Sequence, residues 1–99
     1  MIKDEYRYNY GTITVENYPV GDYTWLTGRW SCGEVTAEFD VVYDTYTGVL
    51  SLDLNSIYLS LIDQDGGEIR SYEGDQVDLS NKIMREIEDE AKEIWYRRQ

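Results

Sequence analysis

Carboxylates are the one reactive group this chain has in quantity, with twenty acidic residues against nine basic ones and no histidine. Three uses of carboxylates are worth testing against the spacing: a cation site, an acid–base pair, and a charged surface. The segment Asp63-Gln-Asp65-Gly-Gly-Glu68 has the density of a calcium loop. Counting from Asp63, however, Glu68 stands at the sixth position, where the loop needs glycine, and Gly74 at the twelfth, where it needs a bidentate glutamate. The segment therefore reads as a turn. Glycosidase chemistry needs two acids facing each other across a cleft, one of them in an apolar setting. Nothing marks out such a pair, and a short chain without long loops has little material for a cleft. Cys32 is alone, which leaves no partner for an intramolecular disulfide and no thiolate zinc set. Without histidine the commonest metal ligand and the side chain best suited to proton transfer near neutral pH are also missing. We expect no catalytic residues, no metal and no cofactor.

The third use is more promising, because the charge is unevenly distributed. Residues 80–99 carry five acids and five bases, whereas residues 30–69 carry eight acids and no base. Those eight are Glu34, Glu38, Asp40, Asp44, Asp53, Asp63, Asp65 and Glu68. Neighbouring carboxylates two apart on a strand sit roughly 6.6 Å apart by strand rise, the order of the step between phosphates along a nucleic-acid strand.

The elements that must position these acids follow from periodicity. The length suits one domain with one core. Val35, Ala37, Phe39, Val41 and Tyr43 alternate with polar residues, the pattern of a half-buried antiparallel strand. Leu50, Leu52 and Leu54 then alternate on one parity and Ile57, Leu59 and Leu61 on the other, with Asn55-Ser56 between them. This predicts a three-strand meander with turns at residues 45–48 and 55–56. In that register Phe39 faces Leu54, Val41 faces Leu52, Leu52 faces Leu59, and Leu50 faces Leu61. On the opposite surface Asp40 lands against Asp53.

Towards the N-terminus, Tyr6, Tyr8 and Tyr10 alternate, and Gly11 precedes a change of parity at Ile13 and Val15, which predicts a bulged strand. Asn17 to Asp22 reads as a turn before a second strand through Tyr23, Trp25 and Thr27. Residues 68–72 are a candidate edge strand. From Ile83 to Trp95 the apolar spacing changes to three and four, which gives one amphipathic helix capped by Ser80, with Leu79 and Met84 as a staple. Glu88 with Lys92 and Glu93 with Arg97 are helix pairs of the favourable order. The fold class is α+β: an antiparallel sheet of four to six strands packed on one C-terminal helix.

Ten tyrosines and three tryptophans are many for the length, and such side chains serve both cores and interfaces. Tyr8, Tyr10, Tyr23, Trp25, Trp30 and Phe39 are assigned to an aromatic core, while Tyr58 on the acidic face and Tyr46 in the loop are interface candidates. Aromatic sheets that bind single-stranded nucleic acid come with a positive groove, so the field here excludes direct nucleic-acid binding. No apolar run approaches the length of a membrane span, and the opening residues lack the apolar stretch of a signal peptide. A cytoplasmic location is expected.

In its size, its acidity clustered on a sheet and its single closing helix, the chain resembles small acidic phage-encoded anti-defence proteins, the anti-CRISPR and anti-restriction DNA mimics. The likeness runs over the whole chain and carries no residue-by-residue motif, so no family site transfers. It implies an inhibitor that occupies the nucleic-acid-binding surface of a nuclease or CRISPR effector. Glu34, Glu38, Asp40, Asp44 and Asp53 would stand in for phosphates, supported by Tyr58, Asp63, Asp65 and Glu68. Two other readings fit the same residues: an immunity protein or antitoxin against a basic nuclease toxin, and an accessory subunit that self-associates, for instance as a homodimer, through its tyrosine-rich strands.

Overall fold

The alternation of β-branched and aromatic residues with polar ones produces an α+β arrangement. A computed structural model describes residues 7–26 and 29–98, with side chains for all of these except 21–26 and 29–31. Among the described residues, β1 (Tyr8–Leu26), β2 (Arg29–Asp44), β3 (Val49–Asp63) and β4 (Glu68–Glu73) form one antiparallel sheet in the order β1-β2-β3-β4. A short 3-10 turn (Gly74–Gln76) leads to α1 (Asn81–Arg97).

The core forms on one face of the β1–β2 hairpin. Ile13 and Val15 of β1 and Val35, Ala37, Phe39 and Val41 of β2 are buried there against Ile87, Ala91 and Trp95 of α1. These helix positions recur every four residues, so one narrow stripe meets the sheet. Leu50, Leu52, Ile57 and Leu59 of β3 extend the same apolar face, half-buried. Ser80 caps the helix by accepting a hydrogen bond from the Ile83 N–H at 3.2 Å, as its sequence position predicts. At the other end Arg98 donates to the carbonyl of Thr12 at 3.2 Å. The Tyr18 hydroxyl donates to Glu86 at 3.4 Å, so α1 runs back along β1, from Tyr18 towards Thr12. Arg97 pairs with Glu90 at 3.2 Å, rather than with Glu93 as the sequence spacing suggests.

Three sequence expectations are corrected. Residues 50–54 and 57–61 are two halves of the single strand β3, and no turn occurs at Asn55-Ser56. The register with β2 slips there, from Phe39 opposite Leu54 to Glu38 opposite Ser56, which leaves Asn55 as one extra residue. A one-residue bulge and a two-residue turn both reverse the parity of an apolar series. The length of β2 decides between them, since Val35 and Ala37 stand ready to pair with Leu59 and Ile57. The facing of Phe39 with Leu54, Val41 with Leu52 and Asp40 with Asp53 holds, whereas Leu52 does not face Leu59 and Leu50 does not face Leu61.

Secondly, β1 has no phase break at Gly11, because its register with β2 is regular from Tyr8 to Val15 and shifts only between Val15 and Tyr18. Asn17 takes the left-handed conformation in that bulge, φ 51°. Tyr8 and Tyr10 consequently lie on the face away from α1, and Tyr10 is 73% exposed rather than part of a core. Thirdly, residues 17–22 continue β1 through a second irregularity between Val20 and Thr24 instead of turning. The side chains of Tyr23, Trp25 and Trp30, and residue Thr27, lie outside the described residues. Phe39 is in the core, and residues 68–73 form the edge strand.

Gly11 has a packing role. A Cβ built on it would lie 3.0 Å from the Trp95 ring, so the absence of a side chain lets the indole rest against the sheet. Tyr43 flanks the same ring, with centroids 6.3 Å apart. Trp95→Ala is expected to cost about 3–5 kcal/mol of unfolding free energy, and Gly11→Val about 1–3 kcal/mol by overpacking. Urea unfolding of the two variants and the double variant checks this, with the double costing less than the sum because the obstructed ring is gone.

Candidate acidic interface

Because the odd positions of β2 enter the core, its even positions must point to the other surface, which no helix covers among the described residues. Glu34, Thr36, Glu38 and Asp40 form a column there, the first three half-buried and Asp40 exposed. β3 sets Ser60, Tyr58, Ser56 and Asp53 opposite them in order. β1 adds Thr14 opposite Glu38 and Thr12 opposite Asp40. β4 adds Glu73 opposite Tyr58 and Ser71 opposite Ser60.

The nine residues singled out from sequence divide into three groups. Glu34, Glu38, Asp40, Asp53, Tyr58 and Glu68 share this face. The Asn55 side-chain amide donates to Glu38 at 2.7 Å, and Glu68 accepts from the Ser60 hydroxyl at 2.8 Å and from the Tyr58 hydroxyl. Those two donors hold the Glu68 carboxyl below its ordinary value, and the carboxylate keeps the Tyr58 phenol protonated above its own. Asp40 and Asp53 have no hydrogen-bond or ion-pair partner among the described residues, although each faces the other. Like charges placed so cost from a few tenths to ~1 kcal/mol.

Asp44 has another task. Arg7 binds it through two parallel bonds of 3.1 and 3.0 Å, and it also accepts the Tyr46 N–H at 2.9 Å. The guanidinium lies 4.9 Å from the Tyr46 ring centre and 5.2 Å from that of Tyr8. Asp44 thus closes the β2–β3 loop, and the Arg7 bonds hold its carboxyl far below the usual carboxylate range. Asp63 and Asp65 belong to the far turn, which is a turn as its sequence implies. Asp63 accepts the N–H groups of Asp65 and Gly67, each at 2.9 Å. No three acids or cysteines gather closely enough to hold a metal among the described residues.

A further feature has no counterpart in the sequence pattern. A groove of about 540 Å³ opens on the acidic face between Thr36, Asn55, Ser56, Tyr58, Glu73 and Gly74. It lies where the Asn55 bulge of β3 adjoins the end of β4, at the pair Tyr58–Glu73, and where Gly74, at φ 54°, leads the chain out of the sheet. Asn55 and Gly74 both carry turn chemistry in the sequence, but only the pairing of distant strands brings them together. Tyr46 is 52% exposed in its loop. No helix among the described residues is long and apolar enough to cross a membrane.

No family model matches the chain, and no curated protein or solved structure is significantly similar to it. The geometry of the acidic face is therefore what bears on function.

The Asp44–Arg7 bond has a pH signature. A carboxyl whose folded pKa is depressed stabilises the fold above its unfolded value and loses that contribution as acidification passes through the folded one. Asp44→Asn is expected to lower the melting temperature at neutral pH. Its deficit should shrink as pH falls below about 4, a trend that thermal melts across the acid range will check.

Proposed function

We propose that this is a non-enzymatic binding protein whose acidic sheet face occupies the nucleic-acid-binding surface of another protein. A nuclease or a CRISPR effector is the target class, as for phage anti-defence DNA mimics. The observation that carries the reading is the opposition of Asp40 and Asp53, which have no cationic partner among the described residues. On β2 Glu38 stands one two-residue step from Asp40, and Glu34 two steps further along beyond Thr36, while Asp53 lies on β3.

Solubility is served by interspersed charges of both signs, and it gives no benefit to two carboxylates that repel each other across a strand pair. A positive surface on a partner turns that repulsion into attraction and speeds encounter by steering. The core supports the reading indirectly, because α1 covers only the apolar face and leaves the carboxylates open to a flat or convex partner. The half-buried Tyr58 supplies apolar area beside the charges, as interface anchors do.

The test is capture from a host lysate at low salt, with DNA as competitor. The expected result is a nucleic-acid-binding protein released both by salt and by DNA, and Asp53→Lys should weaken its capture. A nuclease toxin in that fraction would shift the assignment to an immunity protein. The same substitution is expected to raise stability by a few tenths to ~1 kcal/mol, because it sets an ammonium opposite Asp40 in place of a second carboxylate. Undiminished, salt-sensitive capture by Asp53→Lys would show that the interface lies elsewhere.

A further inference from the structure

The sheet has two outer edges, and they differ. The outer edge of β1 is interrupted by the bulge at Glu16–Asn17 and by Pro19, and Arg98 occupies the Thr12 carbonyl. These are the devices by which proteins blunt an edge. On the other side β4 covers only part of β3, pairing with Tyr58 to Ile62. From residue 50 to residue 54 the strand pairs with β2 on one side, and no described strand lies on the other. Every second backbone N–H and C=O of that stretch points outward as an unused ladder. Leu54 is 41% exposed beside it.

We propose that this edge is where the partner docks: an extended basic segment adds to residues 50–54 as a further strand, in line with β4. The inference rests on the acidic-face reading and specifies how that face is engaged. Alternation fixes the occupant's chemistry. Side chains on the helix side meet Leu50, Leu52 and Leu54, so the segment carries apolar residues there. Those on the other side come beside Asp53, with Asp40 one strand further in on β2, so they are lysine or arginine. The groove bordered by Asn55, Glu73 and Gly74 lies at the end of the stretch, where the next basic side chain would enter.

Charge complementarity selects this occupant over a second copy. Any antiparallel pairing of two such edges that keeps the leucines together puts the Asp53 and Asp40 of both copies on one face. The chain already carries a net charge of −11, so self-pairing compounds the repulsion that a basic segment relieves.

The experiment uses a capped peptide of alternating lysine and valine. It is compared with a glutamate–valine counterpart and with a version N-methylated at two adjacent central amides, one of which must face β3. Affinity is read by fluorescence anisotropy, and hydrogen exchange is followed at the amides of residues 50–54. The lysine peptide should bind, slow exchange at those amides, and lose roughly tenfold or more in affinity on methylation, the effect of one or two ladder bonds. Equal binding by the methylated peptide with unchanged exchange, but loss on Asp53→Lys, overturns the edge proposal and leaves the acidic face standing. Failure of the lysine peptide to bind while DNA-competed capture persists has the same meaning. Failure of both that peptide and the Asp53-dependent capture overturns both readings. Equal binding of the glutamate peptide overturns the basic occupant. Protection that grows with protein concentration alone assigns the edge to a second copy.

Discussion

Everything in this molecule depends on a single apolar stripe, Ile87, Ala91 and Trp95, meeting one face of a two-stranded ribbon. A helix can cover one face of a sheet and no more, so the contact divides the strands' side chains into those that build the core and those that must live with water. Trp95 is the anchor because Gly11 leaves room for its ring. Once that seat is taken, the odd positions of β2 are committed, and the carboxylates at the even positions are displayed together.

The helix and the central strands can be read from the sequence because their information is local. The three-and-four spacing from Ile83 to Trp95, the cap at Ser80 and the alternation from Val35 to Tyr43 need nothing from the rest of the chain. The parity changes are a different matter. At Asn55 the sequence signals that the series inverts, but a bulge and a hairpin leave the same local trace, and only a sufficiently long β2 favours the first. At Gly11 the change is illusory, since the tyrosines before it lie on the outer face and the residues after it are buried without any break in pairing. Interface-like tyrosines on a solvent face imitate a core.

The acidic face is legible to the extent that register is. The pairing of Asp40 with Asp53 follows from loop length and apolar matching and is present. The bond between Arg7 and Asp44 spans 37 positions, and nothing near either residue announces it. It makes Asp44 a loop clamp, where sequence alone counts it with the other acids. The groove beside Tyr58 is further out of reach, being lined jointly by a bulge on one strand and a left-handed glycine that follows another.

The long strands also shape how the molecule moves through water. Its extents are 64 × 24 × 21 Å and its radius of gyration 16.7 Å, against ~13 Å for a compact chain of about 100 residues. A rod of this kind meets more friction than a sphere of equal mass and tumbles about its long axis faster than end over end. On a sizing column calibrated with globular standards a monomer elutes early, as though it were heavier. Light scattering, which weighs particles without regard to drag, separates true self-association from the effect of elongation.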